Sequence, residues 1–287
     1  MRSREWSRRL LAPEVLAIAL FLVFLFPFFI VLINSAKTPF EITQHPLRLP
    51  SDWMKILENI ATIWTSPNVQ YSSSFFSSVI ITAVSLVLLN LLPSQAAWVL
   101  VRTRTRFSTF IFLTFVAAMV IPFQIVMFPL LSWFREITVL TGIRLLRTYA
   151  GIIIAYIGFG ASQSIFLFHG FIKSIPQELE EAATIDGCRP AQTFYRIVFP
   201  ILRPIHATVV VLNGIWIWND YLLPLLILGK GNRVMTIPLA VSNFAGAYVK
   251  QWDLILTAIL MAMVPIIVLF LIAQKSIIKG MVAGSIK

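Results

Sequence analysis

Six polar side chains lie inside runs of sequence that are otherwise almost wholly apolar: Asn90, Gln124, Gln163, Asn213, Asn219 and Asp220. Their chemistry is hydrogen bonding. Only Asp220 among them is ionisable, and no Lys or Arg joins them in the middle of a run. Groups that make or break bonds are missing. There is no G-x-x-x-x-G-K-[ST] phosphate loop, no HExxH, and no plausible Ser/His/Asp arrangement. The GKG at 229–231 lacks the spacing of a phosphate cradle, and the single cysteine, Cys188, excludes an internal disulfide and a cysteine-based metal cluster. No catalytic residue, metal site or bound cofactor is expected on this chain.

The stretch IWIWND at 215–220 is the most substrate-like of these runs. An indole stacks on the C–H face of a sugar ring, and amides and carboxylates bind hydroxyls, so Trp216, Asn219 and Asp220 suit the wall of a solute path. Asn213 and Gln124 are further candidates. A second reading fits the same residues: Trp216 and Trp218 as members of an interfacial aromatic belt, with Asn219 and Asp220 capping a helix end. Both readings stay open at this point.

A different cassette, EEAATIDG at 180–187, looks soluble. The spacing predicts a helix that starts near 175, with a capping box from Ser174 and Gln177, Pro176 in the first turn, and Glu178, Glu180 and Glu181 set favourably against the helix dipole. Gly187 supplies a left-handed cap, and Pro190 opens a second short helix. Ala182 and Ala183 project almost nothing, so another backbone can come close, and carboxylates beside them can grip a basic partner.

The elements that must carry these residues are membrane spans. The chain has 287 residues, 58% of them hydrophobic and 12% charged, with 23 phenylalanines. That is more apolar surface than one soluble core of this size can bury. Six stretches approach the roughly 20 apolar residues a span needs: about 12–34, 76–98, 108–131, 149–171, 203–225 and 255–275. Internal prolines at 27, 93, 122, 129 and 265 predict kinked helices. The 35–75 connection reads as a polar external loop lying over the outer mouth, too broken for a domain of its own.

The net charge of +11 is distributed by topology. Alternate segments, around residues 2–9, 102–106, 173–203 and 275–287, hold 14 of the 23 basic residues, which places both termini in the cytoplasm. Basicity is therefore an orientation signal, with no nucleic-acid partner expected. The first apolar run exceeds a signal-peptide core and is read as a retained helix. An ion-coupled carrier would want ionisable groups near the midplane; Asp220 lies toward the outer end of its run, and His169 and His206 lie near the inner surface. A self-powered carrier is thus disfavoured.

One long signature joins these readings. Glu181-Ala182-Ala183, three residues, Gly187, nine residues, then Ile197-x-Phe199-Pro200 resembles the EAA loop of ABC importer permeases, departing only in Phe199 at a leucine position. The likeness covers nearly the whole chain and is strongest to the second permease of maltose and multiple-sugar importers. It is carried also by IPFQIVMFPL at 121–130, IWIWNDYLLPLLIL at 215–228 and LIAQKSIIKGMVAGSIK at 271–287.

The resemblance implies an all-α membrane protein with six transmembrane helices, both termini cytoplasmic and the ABC importer permease fold. It would comprise an N-terminal segment 1–11, a permease domain 12–275 containing the EAA loop 172–202, and a tail 276–287. It implies a coupling helix in which Glu181, Ala182, Ala183, Thr184, Asp186 and Gly187 dock on a cytoplasmic ATPase. ATP and Mg would be used by that partner, not by this chain. The other implied partners are a second permease, an extracytoplasmic solute-binding protein, membrane lipid and a carbohydrate substrate, in a bacterial or archaeal plasma (inner) membrane. A non-sugar solute is the alternative cargo.

Overall fold

A computed structural model describes residues 2–67, 70–247 and 251–285, with side chains in these segments except 2–12, 243–247, 273 and 275–285. The basic side chains expected at the two termini, and all but the backbone helix of the 276–287 tail, lie outside that description.

Helices dominate because long apolar runs leave the backbone no other way to satisfy its own polar groups in lipid. In chain order they are α1 (Arg2–Asn34), α2 (Pro39–Gln44), α3 (Lys55–Thr65), α4 (Tyr71–Thr103), α5 (Arg106–Ala118), α6 (Phe123–Thr141) and α7 (Tyr149–Ile172). Then come α8 (Glu178–Ile185), α9 (Pro190–Thr193), a π-helical turn (Phe194–Val198), α10 (Phe199–Ile201), α11 (Arg203–Asn219), α12 (Leu222–Ile227), α13 (Ile237–Ala247) and α14 (Trp252–Ser285). Five of these are long and apolar enough to cross a membrane, or six if the run Pro190–Ile201 and α11, bent by 74° at Leu202, count as one span.

Three sequence expectations are corrected. The third span does not run unbroken over 108–131: α5 stops at Ala118, and Pro122, with extended backbone at ψ 135°, sits at the N-cap of α6, which continues to Thr141. Proline lacks the N–H a continuing helix needs and drives the residue before it out of the helical region, so here it breaks the span instead of kinking it. The fifth span ends at Asn219 and not near 225, because Asp220 is extended at ψ 128°. The 35–75 connection, read as a loop, holds α2 and α3; Thr38 and Glu41 form a reciprocal capping box and Pro39 starts α2.

The chain divides into two compact units, one of residues up to Tyr71 with Val241–Val264, the other of Ser72–Ala240 with residues from Pro265 onward. In the first, the end of α1 is a junction. The Ser35 carbonyl accepts from Asn59 Nδ2 of α3 (2.9 Å) and from Thr257 Oγ1 of α14 (3.0 Å). Lys37 is buried, and its ammonium donates to Asn34 Oδ1 (2.9 Å) and to the carbonyls of His45 (2.9 Å) and Pro46 (3.2 Å). It thus folds the chain after α1 back on itself.

The second unit has two apolar clusters. One gathers Ile81 and Leu89 of α4, Phe134 of α6, Ile152 and Tyr156 of α7 and Ile217 of α11. The other gathers Ala97 and Val101 of α4, Phe168 and Ile172 of α7, Phe194 and Val198 of the π turn, and Val209 of α11. Helix α8 packs against the π turn of that second cluster.

Candidate functional site

Helix α8 begins at Glu178, three residues later than the sequence suggested. The Ser174–Gln177 capping box does not form, because Ser174 Oγ turns back and donates to the Phe171 carbonyl (2.7 Å) at the end of α7. The other boundary is as expected from the sequence: Gly187 has φ +81°, and its N–H and that of Cys188 close the last turn onto Thr184 and Ala183. Pro190 then starts α9, and Gln192 Oε1 accepts from the Arg189 N–H (2.8 Å).

The two faces of α8 differ sharply. Glu178, Leu179, Glu181, Ala182, Thr184, Ile185, Asp186 and Gly187 are exposed, Ile185 to 86%. Glu180 and Ala183 are buried. Ala183, expected on the docking surface, therefore faces the chain's own core, where its small size lets α8 approach closely. Glu181 accepts from Gln177 Nε2 (3.0 Å) and otherwise points outward.

Glu180 anchors α8, and sequence reasoning gave it no such part. One of its oxygens accepts from Arg102 Nε (2.9 Å) and Nη2 (2.6 Å), the other from Trp98 Nε1 (2.8 Å). Arg102 Nη2 also reaches the Ile175 carbonyl (3.1 Å), and Arg104 donates to Gln177 Oε1 (3.1 Å). A fork from Arg satisfies a carboxylate with defined direction as well as charge. It fixes α8 to the end of α4 and joins the basic segment 102–106 to the start of the basic segment 173–203. The available signal was the doublet Glu180-Glu181, with Trp98 and Arg102 one turn apart at the end of an apolar run.

The five path candidates separate. Asn213 has no exposed surface; its amide donates to Ser164 Oγ (3.2 Å) and the Val209 carbonyl (3.0 Å), inside the contact between α7 and α11. Asp220 accepts from Tyr156 Oη (3.1 Å) and from the N–H groups of Leu222 (3.0 Å) and Leu223 (3.4 Å), so it caps α12. Trp216, Asn219 and Gln124 are exposed. Trp216 packs edge-on against Tyr156 at 5.4 Å, and Asn219 Nδ2 donates to the Ile215 carbonyl (2.8 Å). A separate apolar groove of about 430 Å³ runs between α6 and α7, lined by Val126, Leu130, Trp133, Ile154 and Phe159 among others.

Near the second cluster, His169 stacks on Phe112 at 3.6 Å, and His206 Nδ1 lies 2.9 Å from Asn90 Oδ1. Both imidazoles are held by rings and an amide. No group of three or more His, Cys, Asp or Glu able to hold a metal occurs among the described residues.

Residues 90–282 match the family model described as the binding-protein-dependent transport system inner membrane component. The chain belongs to that family. The match contains α8 and both of its anchors, Trp98 and Arg102.

Among curated relatives, the chain is 38% identical over 273 residues to the probable starch degradation products transport system permease protein AmyC of Thermoanaerobacterium thermosulfurigenes, covering 95% of each. It is 32% identical to the multiple sugar-binding transport system permease protein MsmG of Streptococcus mutans, covering 93% of each. To the melibiose/raffinose/stachyose import permease protein MelC of Bacillus subtilis it is 34% identical over 91% of each. A chain in the crystal structure of a bacterial ABC transporter involved in import of the acidic polysaccharide alginate superposes with a TM-score of 0.75. At 22% identity over 92% of this chain and 95% of that one, the superposition establishes a shared fold. This family member is therefore an all-helical, multi-pass permease component with the ABC importer permease fold.

Proposed function

We propose that this chain translocates a carbohydrate delivered by an external solute-binding protein, working beside a second permease and powered by a pair of ATPase subunits docked on α8. Both termini are cytoplasmic in this reading, so α8 faces the cytoplasm of a bacterial or archaeal cell. ATP and Mg are used by the ATPase, and this permease binds no cofactor. The sugar assignment is supported by the relatives' names, which cover starch degradation products, multiple sugars, and melibiose, raffinose and stachyose.

The observation that carries the docking assignment is the division of α8 into two faces. Its inner face is fastened through Glu180 and Ala183, while Glu181, Ala182, Thr184, Asp186 and Gly187 stay open, beside an isoleucine left 86% exposed. A short helix with a bare apolar side chain, small neighbours and flanking carboxylates suits a cleft on a soluble partner. Closure of the ATPase pair would drag the docked helices together and rock the permease between inward-open and outward-open states. Trp216, Asn219 and Gln124 supply stacking and hydrogen-bonding groups for a sugar path, with Asn213 and Asp220 fastening α11, which carries Trp216 and Asn219, to α7.

Thr184→Cys in a Cys188→Ser background tests the docking. Crosslinks to the co-expressed ATPase are expected, and clean failure with reagents of several lengths would sink the assignment. Glu181→Lys should insert normally yet separate ATP hydrolysis from uptake; unchanged sugar uptake by that variant refutes the role given to Glu181.

A further inference from the structure

Helix α3 presents three different faces. Asn59 and Ile63 point inward and are buried, Asn59 hydrogen-bonding the Ser35 carbonyl at the end of α1. Lys55, Glu58, Thr62 and Thr65 form a polar flank, with Lys55 and Glu58 paired at 3.3 Å. The remaining flank is apolar. Trp53, Leu57, Ile60 and Trp64 follow one another at i, i+4, i+7 and i+11, the spacing of a single stripe along a helix. Trp53 belongs to the turn leading in, since the Ile56 N–H donates to its carbonyl. Trp53 is 48% exposed and Leu57 55% exposed; Trp64 is also exposed on one side while its ring packs at 6.2 Å from Tyr71.

We infer that α3 lies in the membrane interface at the Asn34 end of α1, with the Trp53–Leu57–Trp64 stripe in the boundary between headgroups and acyl chains. Continuity identifies lipid as the occupant. Asn59 joins α3 to the chain immediately after α1, whose apolar residues from Val15 to Phe29 are exposed almost throughout, as on a lipid-facing helix. The helix that carries the stripe is therefore fastened, at its middle, to the end of that apolar surface. Tryptophans mark both ends of the stripe, and indoles favour this depth because one edge is apolar and the other donates to water or headgroups. A helix with one apolar flank and one charged flank settles with the first about 5–10 Å into the boundary. With cytoplasmic termini the leaflet is the outer one, but the interfacial placement does not rest on the proposed cargo or on the ATPase docking.

Nitroxide labels at Leu57→Cys and, separately, Thr62→Cys, both in Cys188→Ser protein reconstituted with its partner subunits in phosphatidylethanolamine/phosphatidylglycerol vesicles, test this. Collision with oxygen reports lipid, and collision with a water-soluble nickel chelate reports water. The Leu57 label should show a several-fold higher oxygen-to-nickel ratio than the Thr62 label, and Trp53→Cys should repeat the Leu57 result. Equal nickel access at 57 and 62 overturns the inference in favour of open water. Shielding of 57 from both reagents overturns it in favour of a protein partner.

Discussion

Arg102 and Glu180, 78 residues apart in sequence, meet in a two-pronged ion pair of 2.9 and 2.6 Å whose side chains are 16% and 11% exposed. Because Glu180 also takes the Trp98 indole N–H, one carboxylate joins the proposed docking helix to one turn of α4. A force arriving at the outer face of α8 has a stiff route into a long apolar helix.

Breaking that pair leaves a charge in a poorly solvated place. Loss of one partner from a fully buried pair costs about 3–5 kcal/mol, and the residual exposure here lowers the expectation for Arg102→Met or Glu180→Gln. Both variants should melt earlier and transport less per ATP hydrolysed. The reversed pair Arg102→Glu with Glu180→Arg should recover part of both. Melting curves together with the uptake-to-hydrolysis ratio in vesicles check this, and a ratio equal to wild type in both single variants contradicts a transmitting role.

Gly187 separates backbone from space. A Cβ placed there meets nothing within 4 Å, yet φ is +81°. Gly187→Ala should therefore cost about 1–2 kcal/mol through the left-handed backbone alone. Gly187→Asn should cost less, and Gly187→Val the most. If the three variants melt alike, the cap is not held in this conformation.

Gly160 is the opposite case. Its Cβ would stand 2.9 Å from Asn213 Oδ1 and 2.9 Å from Leu89 Cδ1, whereas a Cβ at Gly158 meets nothing within 4 Å. Gly160→Ala should push α7 from α11 and destabilise by about 1–3 kcal/mol, with Gly158→Ala near neutral. Paired melting measurements distinguish them.

The capping box of α2 should respond to acid. Hydrogen bonds from the Thr38 N–H and then from the Ser51 and Thr38 hydroxyls hold Glu41 below its ordinary pKa of 4.5. A carboxylate with a lowered native pKa contributes stability above its unfolded pKa and loses it as pH falls through the native one. The melting-temperature gap between wild type and Glu41→Gln should stay constant from about pH 5 to 8 and close below pH 4.5.

The sequence exposed local features well and distant ones poorly. Gly187, Pro190 and the alanine pair marked α8 because caps and turns are written in adjacent residues. The span count followed from hydropathy, but the break at Pro122 did not, since a proline inside an apolar run is compatible with a kink or a stop and its neighbours decide. Asn213 entered the path candidates because a buried amide and a lumen-facing amide look identical in one dimension. Glu180 was passed over for the same reason: its partners lie in α4, and nothing near it in sequence distinguishes it from Glu181.

The bend at Leu202 has a mechanical meaning. Pro190–Ile201 and α11 meet at 74°, close to a right angle. A push along the first axis therefore reaches α11 almost wholly crosswise, so that the long helix swings about its near end and hardly slides along its length. Under the proposed docking, the corner would act as a bell-crank, turning a stroke in one plane into a sweep of the far tip, where Trp216 and Asn219 sit.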